Sequence, residues 1–377
     1  MGEPLRGDAK RQLGKGILLR VLVLKLIDRM LGGIATAVLP APARGTFAEP
    51  RRILVIRPGG MGDAVLLIPA LLALKDRFPA AKITVLAERR NAAAFSLCPI
   101  VDRVLLYERG GDLVSAVRGG YDVVIDTEQW HRLSAVVARL VGAPLSIGFA
   151  SNSRGRLFSH PVSYRHEDYE VESFFKLLAP LGVESAALQP GPFLTLPGAA
   201  AQRAGELLAS LGGKRFVALF PGASIAERRW GAERFRGVAG RLAEGGIPVV
   251  VVGAECDAAE AGVVLGGVGG LNLAGKTTLA ESAAVIAQSA LLLSGDSGVL
   301  HLAVGLGIPT VSLFGPGIEA KWGPKGKGHI ILNKQLPCSP CTRFGTTPSC
   351  PIKARCLSEI TVAEVVAAVE KVLGLAP

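Results

Sequence analysis

From Arg51 onward the chain alternates short β-branched apolar runs with longer segments whose apolar positions recur every three or four residues. A strand covered on both faces reads as a continuous apolar run, and the helix that follows it reads as amphipathic, so this alternation predicts parallel βαβ units. In the first stretch the strands read RILVIRP, KITVLAE, RVLLYE and YDVVIDT, with DAVLLIPALLALKDRF and LSAVVARLVGA among the helices between them. A break at ASNSRGRLFSHPVSY, the helical HEDYEVESFFKLLAPLG and the Pro/Gly-rich LQPGPFLTLPGAAA lead out of this half. At KRFVALFPGAS the pattern restarts, and IPVVVVGAE, NLAG, LLLSGDS and PTVSLFGP follow as strands. The last helix, TVAEVVAAVEKVLGL, has Thr361 as N-cap and an acid in its first turn. The expected fold is α/β, with two doubly wound parallel-sheet halves at residues 51–195 and 196–377. Sites then lie at the carboxyl ends of the strands, on a cleft between the halves.

Residues 1–50 precede this pattern. Within GILLRVLVLKLIDRMLGGIATAVLPAPA, the charges Arg20, Lys25, Asp28 and Arg29 interrupt the apolar run, so no span of about twenty apolar residues exists. The same charges argue against a secretory signal. At 100° per residue they share about half of the helix circumference. This N-terminal helical extension is therefore expected to lie on a membrane surface, or else to pack on the body of the protein. Charge supports the first reading: residues 1–52 hold ten Lys/Arg against four acids, which is +6 of the chain's formal +11. No basic stripe carries interleaved aromatics, so a nucleic-acid partner is not expected.

Three glycines, Gly59, Gly60 and Gly62, sit between the first strand and the first long helix. Counting from Gly60, the dinucleotide fingerprint fails at Val65, and no G-K-[ST] closes a P-loop. The glycines instead suit close approach of a neutral ligand to the backbone. Asp63 falls at the helix start, where the dipole favours its ionised form. It is either a simple cap or a cleft-facing carboxylate able to take a proton from a hydroxyl.

The second half offers the better phosphate site. SGDSGVLHLAVGLG runs from a strand through Asp296, Ser297 and Gly298 into a helix whose first N–H groups can hold a diphosphate. Asp296 reads there as a turn or capping residue, and His301 as a packed histidine or a phosphate contact. Ser224 and Arg228 lie on the loop after the first strand of this half, Arg228 being suited to bidentate diphosphate contact unless the Arg228–Arg229 pair is merely solvated. Glu255 and Asp257 come at a strand end, where carboxylates bind ribose hydroxyls.

Four of the six cysteines crowd into the loop 337–357: Cys338, Cys341, Cys350 and Cys356. They can form a structural zinc site, or remain paired or free thiols. Cys98 and Cys256 are expected to be packed.

In order and spacing, GGMGDAVLLIPAL, FPGASIAERRWGAERF, GDSGVLHLAVGLGIPTVSLFGP and PCSPC…CPIKARCLSEIT resemble the ADP-heptose:lipopolysaccharide heptosyltransferase family, glycosyltransferase family 9. The resemblance runs from about Arg51 to Leu375. It implies the GT-B arrangement of two facing Rossmann-like domains, and inverting transfer of heptose from ADP-heptose to a sugar hydroxyl of the lipopolysaccharide inner core, without a catalytic metal or other cofactor. On matching positions it implies Asp63 as general base, Ser224 and Arg228 as diphosphate contacts, and Asp296, Ser297 and Gly298 as the diphosphate cradle. Asp257, or Glu255 beside it, would bind ribose, and Lys276 and Thr277 would meet the adenine side. IDTEQWHRLSAV departs from the family's usual segment. Glu128, Trp130, His131 and Arg132 there can line an acceptor pocket or open a capped helix. The implied partners are a nucleotide-sugar donor and a lipid-linked saccharide acceptor, at the inner face of the cytoplasmic membrane. The same fold using another nucleotide sugar, or a non-catalytic nucleotide- or glycan-binding component, are the other functions this sequence allows.

Overall fold

The structure, a computed structural model, describes residues 26–43, 45, 49–184 and 191–375. Two six-stranded, wholly parallel sheets carry it. The first comprises β1 (Arg52–Arg57), β2 (Lys82–Ala87), β3 (Val101–Leu106), β4 (Val123–Asp126), β5 (Leu145–Phe149) and β6 (His160–Val162). The second comprises β7 (Val217–Phe220), β8 (Val249–Val251), β9 (Gly270–Asn272), β10 (Leu291–Gly295), β11 (Thr310–Phe314) and β12 (His329–Asn333). Their orders are β3-β2-β1-β4-β5-β6 and β12-β11-β10-β7-β8-β9. Numbered within its own half, each sheet reads 3-2-1-4-5-6, so each reverses direction between its first and fourth strands, where a doubly wound sheet opens its ligand crevice.

Three strands were not expected from the sequence. β5 abuts the helix before it, whose end is set by left-handed Gly142. β6 is three residues long and holds Pro161 at the sheet edge, where a missing N–H costs no ladder bond. β12 is likewise an edge strand, half-buried throughout.

The halves share one core. A single apolar cluster runs from Ile53, Leu67 and Phe174 in the first to Leu300, Phe314 and Trp322 in the second. Its centre is the packing of the Met61–Arg77 helix on the Gly298–Gly305 helix, start against start. A Cβ on Gly62 would lie 2.8 Å from the His301 ring, and one on Gly298 would lie 2.5 Å from Met61 Cε. Gly62 therefore serves this helix contact rather than ligand approach, correcting the sequence reading.

Of the extension, residues 1–25 lie outside the described residues. From Asp28 to Val38 the chain is helical, and Asp28, Gly32 and Thr36 are buried against the first half. Asp28 Oδ1 accepts the backbone N–H groups of Arg132 and Leu133, both at 2.8 Å, and so caps the Arg132–Val141 helix. The opposite face leaves Leu26, Met30, Leu31, Ile34 and Val38 exposed at helical spacing. One face of this segment packs on the body, as the second expectation has it, and the other is bare and apolar. Among the described residues, no helix is long and apolar enough to cross a membrane.

Candidate active site

The loops leaving β1 and β4 in the first half, and β7 and β10 in the second, converge where the two helix starts meet. After β1 the chain turns at Gly59, whose φ of +105° suits glycine alone. The N-cap of the Met61–Arg77 helix is Gly60, and Asp63 makes no capping bond, so the simple-cap reading of Asp63 falls. Its side chain, 23% exposed, accepts a hydrogen bond from the Trp322 indole Nε1 at 3.1 Å and stands 3.8 Å from Arg57 Nη2. Arg57 is almost wholly buried at the end of β1, donating to the carbonyls of Pro58 and Thr127, with its guanidinium 5.7 Å from the Phe174 ring centre. It is a fixed cation behind the acid.

Opposite stands Arg228, 14% exposed, with Nη1 2.9 Å from Asp296 Oδ2 and its guanidinium 5.5 Å above the Trp322 ring. Among the described residues Arg228 Nε is buried with no hydrogen-bond partner, leaving a donor unused. Arg229 does something else: it donates to the Ala223 carbonyl and pairs with Glu260, stapling the loop from outside. Of the turn and capping readings of Asp296, the turn stands and the capping one fails. Ser297 caps the Gly298–Gly305 helix, accepting the Leu300 N–H at 3.3 Å, while the Asp296 carboxylate turns inward to Arg228. Burial pushes the Asp296 carboxyl up, Arg228 pulling against it. His301 is buried under Gly62. Burial above all lowers its pKa to about 4, with Asp63 pulling against it and Arg228 adding to it, which accords with the packed reading of this residue.

Further out, Ser224 is exposed on the loop after β7. Asp257 is buried with its carboxylate accepting the Ala254 N–H at 2.9 Å, whereas Glu255 is exposed against Gly275. Lys276 is exposed, and Thr277 shares a hydrogen bond with Ser282 at 2.7 Å.

The segment after β4 is held from beneath. Arg154, wholly buried, pairs with Asp126 and donates to the carbonyls of Glu128, Phe149 and His131. Glu128 folds its carboxylate back onto the N–H groups of Gln129, Trp130 and His131. Burial would raise its pKa, but Arg57, His131 and Arg154 hold it below the usual carboxylate range. His131 stands at the N-cap position of the helix that Arg132 begins but makes no capping bond of its own, that part being taken by Asp28. Trp130 is partly exposed, and the ring of Phe344 from the cysteine loop stacks on it at 4.1 Å. Arg132 Nε reaches Ser153 Oγ at 3.1 Å.

Cys338, Cys341, Cys350 and Cys356 line one small cavity with Pro316 and Ile352, all as free thiols. Among the described residues no group of three or more His, Cys, Asp or Glu could hold a metal ion, so the zinc reading has no ligand set here. Cys98 is buried, its pKa pushed up to about 12 by burial, but Cys256 is exposed, contrary to expectation.

Sequence reading missed Arg57, Trp322, Lys321 and Glu170, all at this junction. Only Arg57 carried a signal, as the single charge closing an apolar strand, whereas Glu170 and Lys321 stand among other charged residues.

Known proteins with this arrangement say what it belongs to. The profile of Glycosyltransferase family 9 (heptosyltransferase) matches residues 111–350. Lipopolysaccharide heptosyltransferase 3 of Escherichia coli is 28% identical over 336 residues, covering 83% of this chain and 96% of the relative. Lipopolysaccharide heptosyltransferase 1 of Pseudomonas aeruginosa is 24% identical, covering 78% and 86%. The solved structure of E. coli ADP-heptose lps heptosyltransferase II superposes with a TM-score of 0.70 at 23% identity, covering 85% of this chain and 98% of that one. Two parallel sheets of identical strand order, meeting at an acid on one side and a cation on the other, are thus the GT-B fold of a glycosyltransferase, and the chain belongs to glycosyltransferase family 9, the heptosyltransferases.

Proposed function

We propose that the chain transfers a heptose from ADP-heptose, with inversion, to a sugar hydroxyl of the lipopolysaccharide inner core. The observation that carries this is the Asp63 carboxylate, free of any capping duty, set across the helix junction from Arg228 and its unused Nε donor. The acceptor oxygen attacks the anomeric carbon as the carbon–oxygen bond to the diphosphate breaks. The bonding pair leaves with ADP, and the acceptor proton passes to Asp63. Arg228, Ser224 and the N–H groups of Ser297 and Gly298, beyond the Asp296 N–H that bonds the Leu313 carbonyl, stabilise the charge that develops on the diphosphate. Inversion needs one base and no second carboxylate nucleophile. Exposed Glu255 is better placed for ribose than buried Asp257. Lys276 and Thr277 take the adenine side, and Trp130 and Arg132 border the acceptor. The four cysteines have no part in this chemistry.

Relatives named as lipopolysaccharide heptosyltransferases support the donor and acceptor. A thermal-shift panel of ADP, UDP, GDP and their sugars tests the donor: ADP and ADP-heptose should stabilise the protein, and selective stabilisation by UDP or GDP would reject it. The apolar face of the Asp28–Val38 segment supports peripheral contact with the inner face of the cytoplasmic membrane, where a lipid-linked acceptor is displayed. Replacing Met30 and Ile34 by Glu should reduce sedimentation with anionic liposomes, and unchanged sedimentation would refute that contact.

A further inference from the structure

The acid that the proposed mechanism uses is not oriented by its own half alone. The short helix Glu319–Trp322, after β11, enters the first half with two consecutive side chains. Trp322 is 8% exposed, and its indole N–H donates to Asp63 Oδ1 at 3.1 Å across 259 positions of sequence. Lys321, buried beside it, contacts the Glu170 carboxylate and lies 2.5 Å from the Tyr164 hydroxyl. Glu170 is itself wholly buried, and its other oxygen contacts the Gln129 amide. Burial pushes the Glu170 carboxyl up to about 7 against the pull of Lys321. A buried lysine tied to a buried glutamate leaves its helix little freedom, since losing either partner strands the other charge in an apolar setting.

We propose that Lys321 and Trp322 form a positioning clamp through which the nucleotide-binding half fixes the Asp63 carboxylate: Lys321 anchors the short helix in the opposite half, and Trp322 turns Asp63 towards the acceptor. The clamp rests on the reading of Asp63 as base. It joins the two halves at the residue that reacts, so the acid is aligned only while the halves are docked. The ring of Trp322 also carries Arg228 on its face, which ties the alignment of acid and cation to one side chain.

Trp322→Phe keeps most of the ring packing and removes the N–H. It should lower kcat about tenfold, the usual effect of losing a hydrogen bond to a charged group, with the KM for donor within about twofold of the parent. Asp63→Asn, and the double variant with Trp322→Phe, distinguish the two readings. If the clamp works through Asp63, the double variant is no slower than Asp63→Asn alone. An unchanged kcat in Trp322→Phe, or an additive loss in the double variant, overturns the clamp while leaving Asp63 as base. Full turnover in Asp63→Asn overturns the base and the clamp with it. Trp322→Leu, which loses more packing, keeps the test readable should the phenylalanine variant fold poorly. A kcat loss in it that tracks only the fall in Tm, and vanishes at lower temperature, counts against the clamp.

Discussion

The loops that leave β1 and β7 begin alike, Pro58-Gly59-Gly60 in one half and Pro221-Gly222-Ala223 in the other, on sheets of the same strand order. They end differently. The first runs straight into a helix and delivers an acid three residues later, with a buried arginine behind it. The second runs on through a single 3-10 turn, Ala226–Arg228, before its next helix and so delivers Arg228, which pairs with Asp296 just past the end of β10. Two copies of one architecture thus present opposite charge to a common junction. The scaffold supplies position, and the residues at its loop ends supply chemistry.

That contrast can be broken first on the acid. Asp63→Asn keeps the shape and should lower kcat about a thousandfold, close to 4 kcal/mol of barrier, while calorimetry finds ADP binding unchanged. Loss of ADP binding in that variant would mean the two halves are not separate in function. On the cation side the damage should be to the fold and the donor. Arg228→Ala strands the buried Asp296 carboxylate and should cost about 3 kcal/mol in urea unfolding, with weakened ADP binding. Arg229→Ala, which removes an exposed staple, should cost no more than about 1 kcal/mol and leave ADP affinity alone. Equal effects at the two arginines would erase the distinction drawn between them.

The last effect concerns the contact itself and appears only as the pH is lowered. His301 in the folded protein does not take a proton until about pH 4, whereas in the unfolded chain it does so near 6.5. Protons therefore bind the unfolded state first as pH falls. Stability contributed by the neutral ring is whole above about pH 6.5 and is lost as pH drops towards 4, at up to about 1.4 kcal/mol per unit. His301→Gln should flatten that part of the curve when urea unfolding is compared at pH 7, 6 and 5. A parallel decline in both proteins would show that other groups carry it.

Much of this was legible in the chain. β-branched runs gave nine strands and the restart at Lys214, because strands buried on both faces must be apolar throughout. Asp63 and Arg228 could be named because each follows a strand and a turn, where a side chain reaches the carboxyl end of its sheet. What was not legible is what depends on docking. Arg57 closes an apolar strand, but nothing in its own segment shows that the helix Glu170–Leu178 covers it. Trp322 and Lys321 lie in four residues of helix, too short for any period to register. Asp296 looked like a cap because its residue type favours caps, and Ser297 took that role one position later. β6, three residues with Pro161 at its centre, is too short to carry an apolar run.

The aspartate at position 28 gives the extension a duty that a tail does not have. A chain trimmed to begin at residue 51, for ease of expression, would leave the amides of Arg132 and Leu133 without their acceptor, at the start of the helix beside Trp130. Weak turnover in such a shortened protein would report a lost buttress at that helix start as much as the loss of the apolar face that the segment carries.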